Sequence, residues 1–171
     1  MLNGKSSGNV SAASSAMVGA LNTPARAGYS GTPLAKKLGI KAASRVWLSG
    51  VPEDYMNLLE PLPGGVVFEK GESANPRVDI AHVFVTRKED LARQLASLRK
   101  QLRADAALWI SWPKKSAKLP STVSEDTIRE LALPLGFVDV KVCAVSDVWS
   151  GLKLVVRKAL RPEVAHRKDG T

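Results

Sequence analysis

Two adjacent lysines, Lys114 and Lys115, follow directly on Trp112-Pro113, with Ser116 and Lys118 close behind. Ammonium groups in such a cluster suit a phosphate, a carboxylate or an acidic peptide, and a following helix amino terminus adds positive potential. The same residues also suit an ordinary solvated loop. A second polar stretch, Ser146-Asp147-Val148-Trp149-Ser150-Gly151, carries an indole that either forms a contact surface or folds back to cap the core. Trp112 and Trp149 fall near strand ends, where a base or ring can stack, whereas Trp47 and Trp109 read as core.

Other reactive residue types are present without the company that catalysis requires. His82 sits in Asp79-Ile80-Ala81-His82-Val83-Phe84-Val85, which reads as a buried strand with a hydrogen-bonded core histidine. No second His or Cys stands at ligand spacing, so no metal is expected. His166 lies in a basic tail. Cys143 lacks a nearby base and reads as a small core residue. No Gly-x-Ser-x-Gly elbow occurs. Gly4-Lys5-Ser6 lacks the earlier glycine of a phosphate-binding loop.

The elements that would position these residues alternate between strand and helix. Strands are expected at Arg45–Ser49, Val66–Phe68 (ending at Glu69), Val78–Thr86, Ala106–Trp112, Phe137–Ala144 and Leu152–Arg157. Helices are expected at Pro33–Leu38, with Thr32 as N-cap and Gly39 as C-cap, and at Glu53–Glu60. Two more are expected at Arg87–Leu102, with Leu91, Leu95, Leu98 and Leu102 on one face, and from Ser124 through Leu133. Pro113 ends its strand, which puts Lys114 and Lys115 at a carboxyl edge, where open α/β sheets bind ligands. The last two strands are joined by Val145–Gly151, too short for a crossover helix, so they pair antiparallel. The sum is a three-layer, Rossmann-like α/β fold with a mostly parallel sheet and a terminal antiparallel strand.

Charge is unevenly spread over the 171 residues, whose formal net charge is +9. Residues 1–52 hold six basic residues and no Asp or Glu, residues 53–156 are balanced, and the tail is basic again. Residues 1–27 read as a disordered Ser/Ala-rich extension, 28–158 as one α/β domain and 159–171 as a disordered basic tail. The basic ends either solubilise the chain or touch nucleic acid through counterion release. One cysteine allows no internal disulfide and suits the cytoplasm, and no run is long and apolar enough for a membrane span.

Two resemblances rest on particular residues. The strand–helix order with a final hairpin after Gly136-Phe137 resembles the class I S-adenosylmethionine-dependent methyltransferases. That resemblance implies a cofactor held by a glycine-rich loop after the first strand and by an acid at the end of the second, here Gly50 and Glu69. The first loop, Leu48-Ser49-Gly50-Val51-Pro52, has one glycine, and Lys70–Arg77 leaves no room for that family's third strand. Gly28-Tyr29-Ser30-Gly31-Thr32-Pro33-Leu34-Ala35-Lys36-Lys37-Leu38-Gly39, Trp112-Pro113-Lys114-Lys115 and residues 139–153 are similar to a bacterial family known only as a domain of unknown function. The expectation is a binding or regulatory module without a cofactor. It would take an anionic small molecule or a protein partner near Trp112, Lys114, Lys115, Ser116 and Trp149. The alternatives are an atypical methyltransferase that holds S-adenosylmethionine through Gly50 and Glu69, and a nucleic-acid binder that uses the basic ends.

Overall fold

The computed structural model describes residues 31–162. The expected extension over 1–27, and residues 163–171 of the expected tail, lie outside the described residues. Apolar runs form six strands: β1 (Arg45–Ser49), β2 (Val67–Glu69), β3 (Ile80–Phe84), β4 (Ala107–Pro113), β5 (Phe137–Ala144) and β6 (Trp149–Val156). They make one sheet in the order β2-β1-β3-β4-β6-β5. β1 pairs parallel with β2 and β3, and β3 pairs parallel with β4. β6 runs antiparallel to both β4 and β5.

Helices cover both faces. α1 (Leu34–Leu38) and α2 (Tyr55–Leu59) bury Leu34, Leu38, Tyr55 and Leu59 against Val46, Leu48, Ile80, Phe84 and Trp109. The Trp109 indole N–H donates to the Leu38 carbonyl at 3.0 Å, which fixes the end of α1 over β4. α3 (Lys88–Gln101) and α4 (Glu125–Ala132) cover the opposite face. There Leu91, Leu95, Leu98, Ile128 and Ala132 pack on Trp47, Val83, Ile110 and Leu152. The leucine spacing in α3 gives one apolar stripe, with Glu89 and Asp90 at its positive end and Arg99 and Lys100 at its negative end. Ser124 caps α4 by accepting from the Thr127 amide at 3.2 Å.

Several boundaries differ from expectation for identifiable reasons. α1 starts at Leu34 with Pro33, not Thr32, at the N-cap position, while Gly39 closes it in the left-handed region as expected. α2 is shorter than Glu53–Glu60, and β3 is shorter than Val78–Thr86, because Val78 turns back to the Asn75 carbonyl. β6 starts at Trp149 rather than Leu152. The Ser146 hydroxyl accepts from the Val148 and Trp149 amides, so the hairpin closes over Val145–Val148. Described structure also runs past the expected domain end at 158: Lys158–Leu160 form a 3-10 turn, and Arg161 Nε donates to the Val156 carbonyl.

Candidate functional site

Lys114, Lys115 and Ser116 lie where β4 leaves the sheet. Pro113 stands opposite Trp149, and Trp112 opposite Ser150. The Lys114 amide donates to the Val148 carbonyl at 2.8 Å, tying the lysine turn to the β5–β6 hairpin. Lys115–Ala117 form a single 3-10 turn, closed by Lys118 at φ +57°. Lys115, Ser116 and Lys118 are exposed and Lys114 is half-buried. Lys114, Lys115 and Lys118 have no ion-pair partner among the described residues.

The structure does not bring the two edge tryptophans together. Trp112 is buried on the α3–α4 face. Trp149 is half-buried on the α1–α2 face, where its ring meets Phe84 edge-on at 5.0 Å. A strand turns successive side chains to opposite faces, so a pairing of Pro113 with Trp149 puts Trp112 on the other side. The lysine turn therefore has Trp149 folded back on the core and no two-indole clamp.

Gly50 and Glu69 stand where the methyltransferase resemblance puts them, at the ends of β1 and β2. Gly50 has φ +69°, and a Cβ there would lie 2.7 Å from the Phe84 carbonyl oxygen. Its glycine character is thus needed for the close approach of β1's end to β3. Pro52 has no N–H to offer. Glu69 receives Arg45 Nη1 on one carboxylate oxygen at 2.6 Å and Asn75 Nδ2 on the other at 2.7 Å. Each Glu69 oxygen thus already carries one protein donor, and the loop after β1 offers a single glycine.

A buried polar chain unites three elements. Tyr55 from α2 lies 2.8 Å from His82 Nδ1, and His82 Nε2 lies 2.7 Å from the Ser111 hydroxyl. All three side chains are at most 1% exposed. Burial pushes the His82 pKa down to about 3, so the imidazole is neutral, and burial pushes Tyr55 up. Serine, histidine and tyrosine in a row resemble a nucleophilic relay, but no substrate reaches atoms this deep. The chain satisfies polar groups beneath the Phe84–Trp149 pair. His82 is the hydrogen-bonded core histidine that its strand predicts. Tyr55 and Ser111 gave no sign in the sequence, because neither lies at a regular spacing from it. Cys143 is half-buried, and burial pushes its thiol pKa up against the pull of Lys37 and Lys141. Among the described residues no group of three or more His, Cys, Asp or Glu could hold a metal ion, and no helix is long and apolar enough to cross a membrane.

The architecture recurs in solved methyltransferases. A Sulfolobus solfataricus protein described as a type 11 methyltransferase matches with a TM-score of 0.54 at 12% identity, over 75% of this chain and 92% of its own. A SAM-dependent methyltransferase from Aquifex aeolicus matches with a TM-score of 0.52 at 18% identity, over 72% and 87%. Aeropyrum pernix fibrillarin, solved with natively bound S-adenosyl-L-methionine, gives 0.50 at 13%, over 75% and 70%. At such identities the likeness is one of fold. No curated protein matches the chain in sequence. Residues 39–158 match the family model described as "Protein of unknown function (DUF3052)", and the chain belongs to that family.

Proposed function

We propose that the domain is a cytoplasmic binding module on a methyltransferase-like fold, which holds an anionic ligand at the lysine turn after β4. The ligand is a phosphate- or carboxylate-bearing small molecule, or the acidic face of a protein partner. One observation carries the reading: among the described residues Lys114, Lys115 and Lys118 have no acidic partner, and they lie on a turn whose backbone is anchored by the Lys114–Val148 hydrogen bond. Fixed backbone and unpaired charge together favour anion capture, since the loop loses little freedom on binding. The engagement of both Glu69 oxygens by Arg45 and Asn75 supports a module that does without the fold's cofactor.

The test is thermal unfolding of the full chain with inorganic pyrophosphate as the anion probe. A ligand at about a hundred times its dissociation constant adds ~2.7 kcal/mol, enough to raise the midpoint by several degrees. The rise should vanish in Lys114→Ala/Lys115→Ala, whose side chains carry no part of the core. No rise with pyrophosphate, or the same rise in the double variant, refutes the reading. The fold likeness and Gly50 favour a second reading, an atypical methyltransferase. A stabilisation by S-adenosylmethionine that depends on Glu69 would establish it instead.

A further inference from the structure

At the amino edge of the parallel strands, opposite the edge that carries the lysine turn, lies a cavity of about 340 Å³. The turn after α1 lines it through Lys41 and Ser44, β3 and β4 through their first residues, and β6 through Lys153. Its volume is at the small end of the range of ligand sites. Lys153 is an unusual residue for its place, because β6 has a neighbouring strand on each side. The pairing sets it between Trp109 of β4 and Lys141 of β5. Directly paired residues project to one face of the sheet, so Lys153 and Lys141 stand side by side on the α1 face with Trp109. Like charges placed directly opposite destabilise a sheet.

Three observations point to an anion in this cavity. Its lysines are uncompensated: Lys41, Lys141 and the half-buried Lys153 have no ion pair among the described residues. Burial, and then the charges of Lys141 and Lys41, push the Lys153 pKa below its ordinary value. The acids of the lining are engaged elsewhere. Arg103 holds both, with Nη2 on Asp79 at 2.7 Å and Nε on Asp105 at 2.6 Å, and the second Asp79 oxygen accepts from the Arg45 amide at 2.8 Å. A buried donor is also at hand. Ser44 is 8% exposed, its hydroxyl oxygen accepts from the Lys41 amide at 2.9 Å, and its O–H hydrogen has no acceptor among the described residues.

We propose that this cavity binds a single phosphate group, free or as the monoester of a small molecule, between the ammonium groups of Lys41 and Lys153, with the Ser44 hydroxyl donating to it. The lining selects this class. Ammonium groups are compact point charges with three donors each, which suit a tetrahedral group with several acceptor oxygens. A dianion balances the two lining lysines, and Lys141 adds its charge from the next strand. A monocarboxylate would leave one of the two lysines uncompensated. Asp79 and Asp105 disfavour a longer polyphosphate, whose further charges would meet them across so small a space. The site is at the other edge of the sheet from Lys114 and Lys115 and does not rest on the function assigned to them.

The test is the acetylation rate of each lysine of the full chain, read by peptide mass spectrometry. The rates are compared in inorganic phosphate, in glycerol phosphate and in sodium chloride of equal ionic strength. With a probe at about 10 mM and a dissociation constant of about 1 mM, acetylation of Lys41 and Lys153 should fall about tenfold relative to chloride. Lys100, which lies outside the cavity, should react equally in all three. Protection by glycerol phosphate at least equal to that by phosphate identifies a monoester as the ligand, and protection by phosphate alone identifies the free ion. Lys41 is exposed, so Lys41→Ala keeps the fold, and in it the protection of Lys153 should be lost. Lys114→Ala/Lys115→Ala should leave the protection of Lys41 and Lys153 intact. Lysine rates equal in both phosphates and chloride, or protection of Lys153 that survives Lys41→Ala, overturn the proposal.

Discussion

Acid should destabilise this domain well above the pH at which its carboxylates titrate, and His82 is the reason. In the folded chain its ring is fully buried between the Tyr55 and Ser111 hydroxyls, and its pKa falls to about 3 from an ordinary 6.5. In the neutral ring one nitrogen donates and the other accepts, which matches one hydroxyl on each side. A second ring proton would bring a charge into a site with no counterion and deprive a hydroxyl hydrogen of its acceptor. The unfolded chain has no such constraint and takes up the proton near pH 6.5. Between about pH 6.5 and pH 3 the unfolded state therefore binds more protons. Stability is complete above the unfolded pKa and falls as the pH drops toward the folded one. One proton of difference is worth about 1.4 kcal/mol per pH unit, so a step from about pH 7.5 to 5.5 should remove roughly 1.4 kcal/mol. Few carboxylates change charge in that window. The assay is urea unfolding at the two pH values for the parent chain and for His82→Gln, whose amide can still accept from one hydroxyl and donate to the other. His166 is replaced by Gln in both, so that only His82 differs. The parent should lose the stated amount, and the His82→Gln chain should lose little. A parent chain with equal stability at both pH values, or a His82→Gln chain that loses just as much, would refute the reasoning.

Two further substitutions probe the joints between elements. Gly50→Ala forces an L-residue into φ +69° and puts a methyl group 2.7 Å from a backbone oxygen that cannot easily move. A loss of more than about 2 kcal/mol in urea unfolding is expected, and an unchanged midpoint would mean that β1 and β3 need no such approach. Trp109→Phe removes the hydrogen bond that holds the end of α1 and leaves the Leu38 carbonyl without that donor. It should lower stability by about 1–3 kcal/mol and speed hydrogen exchange in α1, whereas full protection of Leu34–Leu38 in the variant would show that apolar packing alone holds the helix.

What the sequence disclosed and what it withheld differ in range. The alternation of apolar runs with the Leu91–Leu95–Leu98 stripe, the Ser124 cap and the Gly39 and Gly136 stops is local information, and the layered fold follows from it. The antiparallel end was legible from a connection too short for a helix. The hairpin's true start was not, because Ser150 and Gly151 look like turn residues while Ser146 makes the turn earlier. The lysine turn was legible, since proline and lysine after an apolar run mark a strand's end. That Trp112 and Trp149 face opposite sides was not, because facing depends on the register between β4 and β6. Glu69 could be placed at the end of its strand. Its partners Arg45 and Asn75 could not be named, since each was a charge or an amide among many.

The loop between β2 and β3 shows how the chain crosses the sheet without a helix. β2 and β3 run parallel with β1 between them, so the chain must return from the carboxyl edge to the amino edge across the α3 side of the sheet. Such a crossover normally carries a helix that covers the sheet. Residues 70–79 have none, yet they are long enough, since the strands they pass measure only about 16 Å at 3.3 Å per residue. A bare crossover must be held by side chains. Asn75 takes one oxygen of Glu69, Gln101 takes the Ala74 amide, and Arg103 takes the Val78 carbonyl and the Asp79 carboxylate. Ala74 alone reaches into the core from the loop's middle, where a helix would have brought a whole apolar face. The short loop therefore engages the acid at the end of β2 as one of its own anchors, so the Glu69 carboxylate ties β2, the start of β1 and the crossover together.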